Sequence, residues 1–228
     1  MPKPLSPTQR VVALTLIAAL LLLSIISIAG IINASNQYQV TTTKEKRGKT
    51  NGTTTKQEWE SAKKQLDTSL AIAPRDPETL YSAAKLYIWR EETAPLNNSS
   101  GKEELNTAQE YLTQSLQQRP LWPHTWSRLS VVLAKQKEFG PLFQTAFQNT
   151  IKLGHQEKKI QALYVKFGLH AWGHLTRENK KEYLSFLQKV APKNIKTLTT
   201  MEHTSQTRLI MCFLLKDLPR IQRYCESR

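Results

Sequence analysis

Cysteine is nearly absent from this chain: two in 228 residues. That excludes a disulfide scaffold and a cysteine-built zinc module. Long apolar runs are also scarce. Only one exists, which excludes a polytopic membrane protein. Proline and glycine occur at ordinary counts, 11 and 8, so no collagen-like or low-complexity class applies. Acidic residues are few, with 18 Asp and Glu against 32 Lys and Arg and a net charge of +14. No nucleophile elbow, dinucleotide fingerprint or paired-carboxylate motif is present. The triplet Gly48, Lys49, Thr50 lacks the earlier glycine of a phosphate loop, since Thr43 stands in its place. His170 and His174 have a spacing that suits two metal ligands on one helical face. No glutamate of a zinc-protease motif lies between them and no third ligand is nearby, so interhelical packing is the expected role. These absences lead us to expect a binding protein with no enzymatic activity, no cofactor and no metal. An apolar fraction of 39% with 22% charged residues is that of a folded chain.

What is present begins with an apolar segment. Val11 to Ile32 carries no charge. As a helix rising ~1.5 Å per residue it would extend about 33 Å, enough for a hydrocarbon core of about 30 Å. A cleavable signal peptide is the competing reading, with Ser27 and Ala29 as the small cleavage pair. Its apolar region would be shorter, and an uncleaved transmembrane anchor over 11–32 is expected. Lys3 and Arg10 precede the segment, and no Lys or Arg follows until Lys44. The positive-inside rule then places residues 1–10 in the cytoplasm and the C-terminal domain outside, which in a bacterium is the periplasm. The cluster Lys44, Lys46, Arg47, Lys49 opposes this from a greater distance. Residues 33–56 are polar and Thr-rich, with Gly48 and Gly52 as helix breakers, and read as a flexible linker. Beyond the anchor 30 Lys and Arg face 18 Asp and Glu, a basic domain suited to anionic partners. No nucleic-acid recognition module is present, and nucleic acid is not an expected partner.

Residues 57–228 show an internal repeat. Trp59, Ala62, Ser69, Leu70 and Pro74 recur at identical spacing as Leu105, Ala108, Ser115, Leu116 and Pro120. After each proline comes a second pattern. Leu80, Ala83, Ala84 and Tyr87 match Trp126, Leu129, Ser130 and Leu133. Each set falls on one helical face, and each proline ends its helix. This resembles the tetratricopeptide repeat. A third match, 34 residues on, sets Phe139, Leu142, Asn149 and Gly154 against Leu105, Ala108, Ser115 and Pro120. It is followed by Ile160, Leu163, Tyr164 and Phe167. A further helix is expected from about Arg177 to Pro192, and a capping helix over Thr207–Cys225 with apolar Leu209, Ile210, Phe213 and Leu214. Between Tyr87 and Leu105 about a dozen residues are inserted, read as a surface loop. The expected fold class is all-α: a transmembrane helix, then a tetratricopeptide-like helical-hairpin solenoid.

In such solenoids the first helix of each pair lines the concave groove. That phase assigns Tyr81, Ser82 and Lys85 from the first pair, and His124, Ser127, Arg128 and Lys135 from the second. Lys158 and Gln161 come from the third. The face is polar and basic, suited to an acidic peptide or an anionic polymer. Trp122, just ahead of a helix, is either a saccharide contact or part of the packing at the helix start. Cys212 and Cys225 can pair if the last helix folds back near Pro219. In one straight helix they would stand about 19 Å apart and remain free.

The run QRPLWPHTWSRLSVVLAKQKEFGPLFQTAFQNTIKLGHQEKKIQALYVKFGLHAWGHL, with APRDPETLYSAAKLYIWRE and the anchor, resembles the VpsP family. That resemblance implies a bacterial inner-membrane protein of exopolysaccharide (biofilm matrix) biosynthesis. It transfers no residue role. Together these readings lead us to expect a scaffold that binds protein components of a polysaccharide synthesis or export complex. Direct binding of an anionic polysaccharide is the alternative, as is assembly of another envelope system. A glycan-active enzyme using Glu91 or Glu92 is the least favoured reading.

Overall fold

The computed structural model describes residues 7–47, 56–93, 101–200 and 204–227, which are all-α. The Gly48–Lys49–Thr50 triplet and residues 94–100 of the insertion lie outside them. The first helix, α1, spans Pro7–Arg47. Within it Val11–Gly30 has a mean hydropathy of 2.9 and is not buried against the rest of the protein. It is long and apolar enough to be a single membrane span or an N-terminal signal sequence. Its three hydroxyls do not stay free. Thr15, Ser24 and Ser27 donate to the carbonyls of Val12, Leu20 and Leu23 at 2.8–2.9 Å, which satisfies them without water.

The helix does not stop at Ile32. It continues through 33–47, so most of the segment expected to be a flexible linker is helical. No proline or glycine stands between Gly30 and Gly48. Thr, Asn and Gln cost only tenths of a kcal/mol each in a helix that is already nucleated.

The solenoid follows: α2 (Lys56–Ile72), α3 (Pro77–Thr93), α4 (Gly101–Gln118), α5 (Pro123–Lys135), α6 (Pro141–Gly154), α7 (Lys158–Ala171) and α8 (Arg177–Val190). Short α9 (Ile195–Thr200), α10 (Ser205–Leu214) and α11 (Pro219–Glu226) close the chain. Prolines punctuate it at both ends of the helices. Pro74 and Pro120 come two residues after α2 and α4. Pro77, Pro123, Pro141 and Pro219 are the first residues of their helices, where a missing N–H costs nothing. α3 packs on α4 and α5 on α6, α4 joins the two hairpins through α5, and α5 also meets α7. The flanks of the insertion are helical. α3 runs on to Thr93, and α4 begins at Gly101.

One continuous apolar core runs from Ala84 and Ile88 of α3 to Ile221 of α11. A smaller one, containing Ala62, Leu66, Ala83 and Trp89, seals α2 against α3. The small-residue positions of the repeat, Ala84 and Ser130, are buried as expected. The third match, which falls on α6 and α7, differs in register. The buried residues of α6 are Phe143, Ala146, Phe147, Thr150 and Ile151, whereas Leu142 is exposed and Asn149 half-buried. On α7, Ile160, Tyr164 and Gly168 are buried, 35 residues after Thr125, Leu129 and Leu133 of α5. The structural period is therefore one residue longer than the 34 read from the sequence. The α5–α6 connection, 136–140, accommodates it. Lys137 adopts a left-handed conformation there (φ 61°). Its N–H donates to Ala134 O at 3.1 Å, and that of Glu138 donates to Leu133 O at 2.8 Å. This is the Schellman pairing, with lysine in the position usually given to glycine.

The C-terminal segment is two helices, not one. The chain turns at 215–218, and α11 folds back on α10. Cys212 and Cys225 form a disulfide, with Cα atoms 6.0 Å apart. Arg208 fastens the same joint by donating to Tyr224 O and Cys225 O at 3.3 and 3.2 Å. The inward residues of the pair are Thr207, Met211, Leu215 and Ile221, while Leu209 and Phe213 face outward.

Candidate functional site

Helices α3, α5 and α7, the first members of their pairs, share one side of the solenoid. Together they enclose a cleft of about 480 Å³. Five of the nine residues expected in the groove line it: Tyr81 and Lys85 from α3, and His124, Ser127 and Arg128 from α5. Trp122 stands at its edge. The turn at Pro120 puts it there, and Pro123 then starts α5.

Four expected groove residues lie elsewhere. Ser82 is fully buried within the solenoid, because a helix with two packed neighbours exposes only a narrow stripe. Lys135 is drawn away by α3, with its Nζ 2.6 Å from Glu91 and 3.9 Å from Glu92. Those two carboxylates are thereby engaged in an ion pair. Lys158 projects to solvent, and Gln161 donates to His155 O at 2.7 Å. In place of these last two, α7 contributes Lys159, Ile160 and Leu163. Lys159 and Leu163 stand 35 residues after His124 and Arg128, so the one-residue register change accounts for the error. Glu78, at the start of α3, also lines the cleft and was not anticipated.

The electrostatics are lopsided. Lys85, Arg128 and Lys159 face the cleft, and none has an ion-pair partner among the described residues. Glu78 is already shared with Arg119 at 3.4 Å. Burial holds the Lys85 ammonium below its ordinary pKa. Glu78 opposes this, and the nearby Arg128 adds to it. His124 is likewise lowered, chiefly by burial, so the imidazole is neutral near neutral pH. A part-buried cation with no ion-pair partner, as Lys85 and Arg128 are, costs free energy that an incoming anion would recover.

Aromatic surface is present but covered. The Lys85 ammonium lies over the Tyr81 ring at 4.9 Å, and Arg119 lies over Trp122 at 4.1 Å. Trp122 also meets His124, with ring centroids 5.5 Å apart. One face of each ring is thus occupied by a cation, which limits Trp122 as a stacking platform for sugar. Ser127 is only 3% exposed and lies beside the Tyr164 phenol. It forms floor rather than rim. Ser130 and Tyr164, on successive first helices, hydrogen-bond beneath it. Ile160 and Leu163 add an apolar patch, with Leu163 37% exposed.

A wider hollow between α6 and α8 is a weaker candidate, because its polar groups already satisfy one another. The Gln144 amide donates to Phe139 O and His174 O. Asn179 Nδ2 donates to the backbone and side-chain oxygens of Gln144. His174 stacks on Phe139 with centroids 3.6 Å apart. It sits in a 3-10 turn beyond α7, so it does not share a helical face with His170, which contacts Thr207 at 3.3 Å. Both histidines have packing roles. No group of three or more His, Cys, Asp or Glu residues suited to a metal occurs among the described residues.

No protein-family model matches the chain, and no curated protein matches it.

Proposed function

We propose that this protein is a membrane-anchored helical-repeat adaptor that holds an acidic segment of a protein partner in the α3–α5–α7 cleft. The observation that carries this reading is the convergence of Lys85, Arg128 and Lys159, none of them in an ion pair among the described residues, beside the apolar Ile160 and Leu163. An acidic side chain flanked by an apolar one complements that pairing. A rigid solenoid loses little entropy on binding, and the anchor raises the effective concentration near membrane partners. The reading is one of binding, without catalysis or a cofactor.

The setting proposed is the bacterial inner membrane, with residues 1–10 in the cytoplasm and the repeat domain in the periplasm. The basic flank of α1 favours that orientation. The Cys212–Cys225 disulfide suits an oxidising compartment. The partners proposed are components of an exopolysaccharide synthesis or export machine, on the strength of the resemblance to the VpsP family. The protein partner is preferred to an acidic polysaccharide because the Tyr81 and Trp122 rings each have a face covered by a cation.

The test is in-cell photo-crosslinking of the full chain, with the crosslinking amino acid at Leu163 or at Lys158 in separate variants. Capture of polysaccharide synthesis or export proteins at 163, lost with Arg128→Glu, supports the reading. Capture of glycan alone at 163 replaces it with the polysaccharide reading. Equal capture at 158 and 163 removes the cleft as the working face.

A further inference from the structure

Most exposed apolar residues of the repeat domain stand singly, and singly they need no explanation. Leu121, for example, occupies a turn. Leu209 and Phe213 are different. They are 71% and 76% exposed, and they lie four residues apart on α10. They therefore form one outward stripe, with Lys216 continuing it at the next turn. Packing on the rest of the domain is supplied by the opposite side of α10, through Thr207 and Met211. Nothing in the described chain covers the outer side.

The neighbouring surface is cationic. α11 presents Arg220 and Arg223 to solvent, while Ile221 is buried and Tyr224 and Cys225 pack against the core. The disulfide holds this helix against α10, so the apolar stripe and the arginines move as one unit. From Lys189 to the end of the chain, eight Lys and Arg face three acidic residues.

We infer that the α10–α11 hairpin docks on an anionic lipid surface, with Leu209 and Phe213 entering the headgroup–acyl boundary and Lys216, Arg220 and Arg223 meeting the headgroups. Large exposed apolar side chains on one helix of a hairpin whose turn and second helix carry exposed cations match the chemistry of an interfacial contact. Charge complementarity selects lipid over a second copy of this chain, because a two-fold contact through the patch would set cations against cations. A single such contact is weak. It becomes effective because α1, read as a membrane span, tethers the hairpin near the bilayer. The inference goes beyond the cleft and rests on that reading of α1. The contact would lay the solenoid along the membrane and fix which way its cleft faces.

The experiment uses the full chain in bilayer discs, one set of phosphatidylcholine alone and one mixed with phosphatidylglycerol. A photo-crosslinking amino acid replaces Phe213. Incorporation into discs tests the span; lipid capture at 213 tests the hairpin. The expected result is a lipid adduct whose yield is about tenfold higher in the anionic discs. The yield should fall by a similar factor in molar salt or with Arg220→Glu/Arg223→Glu. As a second readout, amides of 205–226 should exchange more slowly in anionic discs for the native chain. They should not do so for Leu209→Ser/Phe213→Ser, whose exposed positions leave folding intact. A crosslink to a second copy, no adduct in inserted chain, or a yield indifferent to lipid charge would each overturn the inference.

Discussion

Replacing Gly168 with alanine tests the packing of the third hairpin, because two general effects oppose each other there. In the interior of a helix, Gly→Ala normally stabilises by about 1 kcal/mol. At Gly168 the added Cβ would overlap the Tyr183 ring, with Cε2 and Cζ the nearest atoms. Tyr183 cannot withdraw. It is fully buried, its hydroxyl donates to Val165 O at 3.1 Å, and Phe147, Trp172 and Phe186 surround it with centroids 5.8–6.2 Å away. Overpacking of this kind costs about 1–3 kcal/mol. Displacing the ring would also strand a buried hydroxyl, at about 1–3 kcal/mol. After subtracting the helix-propensity gain, Gly168→Ala should destabilise the protein by about 1–5 kcal/mol. The assay is guanidinium unfolding of the detergent-solubilised chain, followed by circular dichroism. Gly173→Ala is the internal control. Nothing lies within 4 Å of its added Cβ, and its midpoint should stay within about 0.5 kcal/mol of native. Tyr183→Leu in the Gly168→Ala background should recover about 1–2 kcal/mol as a coupling energy. An alanine variant as stable as the native chain, or more so, would refute the close approach of α7 and α8.

Three further outcomes follow from particular contacts. Lys137 holds a left-handed conformation that favours glycine, so Lys137→Gly should raise stability by about 1 kcal/mol, read from the same denaturant midpoint; a loss would mean that its side chain contributes more than the strain. The Cys212–Cys225 bond closes a loop of separation 13, so Cys212→Ser/Cys225→Ser should cost about 3 kcal/mol. Alkylation without reductant should label neither cysteine in protein made with its C-terminal domain exported, and labelling of both would sink the pairing. Burial pushes the Tyr164 and Tyr183 phenols well above their ordinary range. A raised folded pKa gives stability that is full below the unfolded value of about 10 and declines as pH rises above it, by about 1.4 kcal/mol per pH unit for each tyrosine. Absorbance titration should show two of the seven tyrosines ionising only as the fold is lost; early ionisation of all seven would contradict their burial.

What the sequence alone determined is local. The uncharged run from Val11, the proline punctuation at 74 and 120, and the apolar spacing of Leu80, Ala83 and Ala84 each act within a few turns of chain. They were enough to establish an all-α chain of phased hairpins, and to find that Tyr81, Lys85, His124, Ser127 and Arg128 share a face. What the tertiary structure decided is relational. A five-residue connection at 136–140 moved the third hairpin by one residue, replacing Lys158 and Gln161 with Lys159 and Leu163 in the cleft. The pull of Glu91 on Lys135 came from a helix 44 residues away. The fold-back at 215–218 converted two cysteines that a straight helix would separate into a bonded pair. It also left Leu209 and Phe213 outside rather than in a capping core. Helical periodicity is written into neighbouring residues because each turn closes on itself. Register, pairing and exposure depend on where distant helices come to rest, and turn geometry and close packing settle that only once the whole chain is assembled.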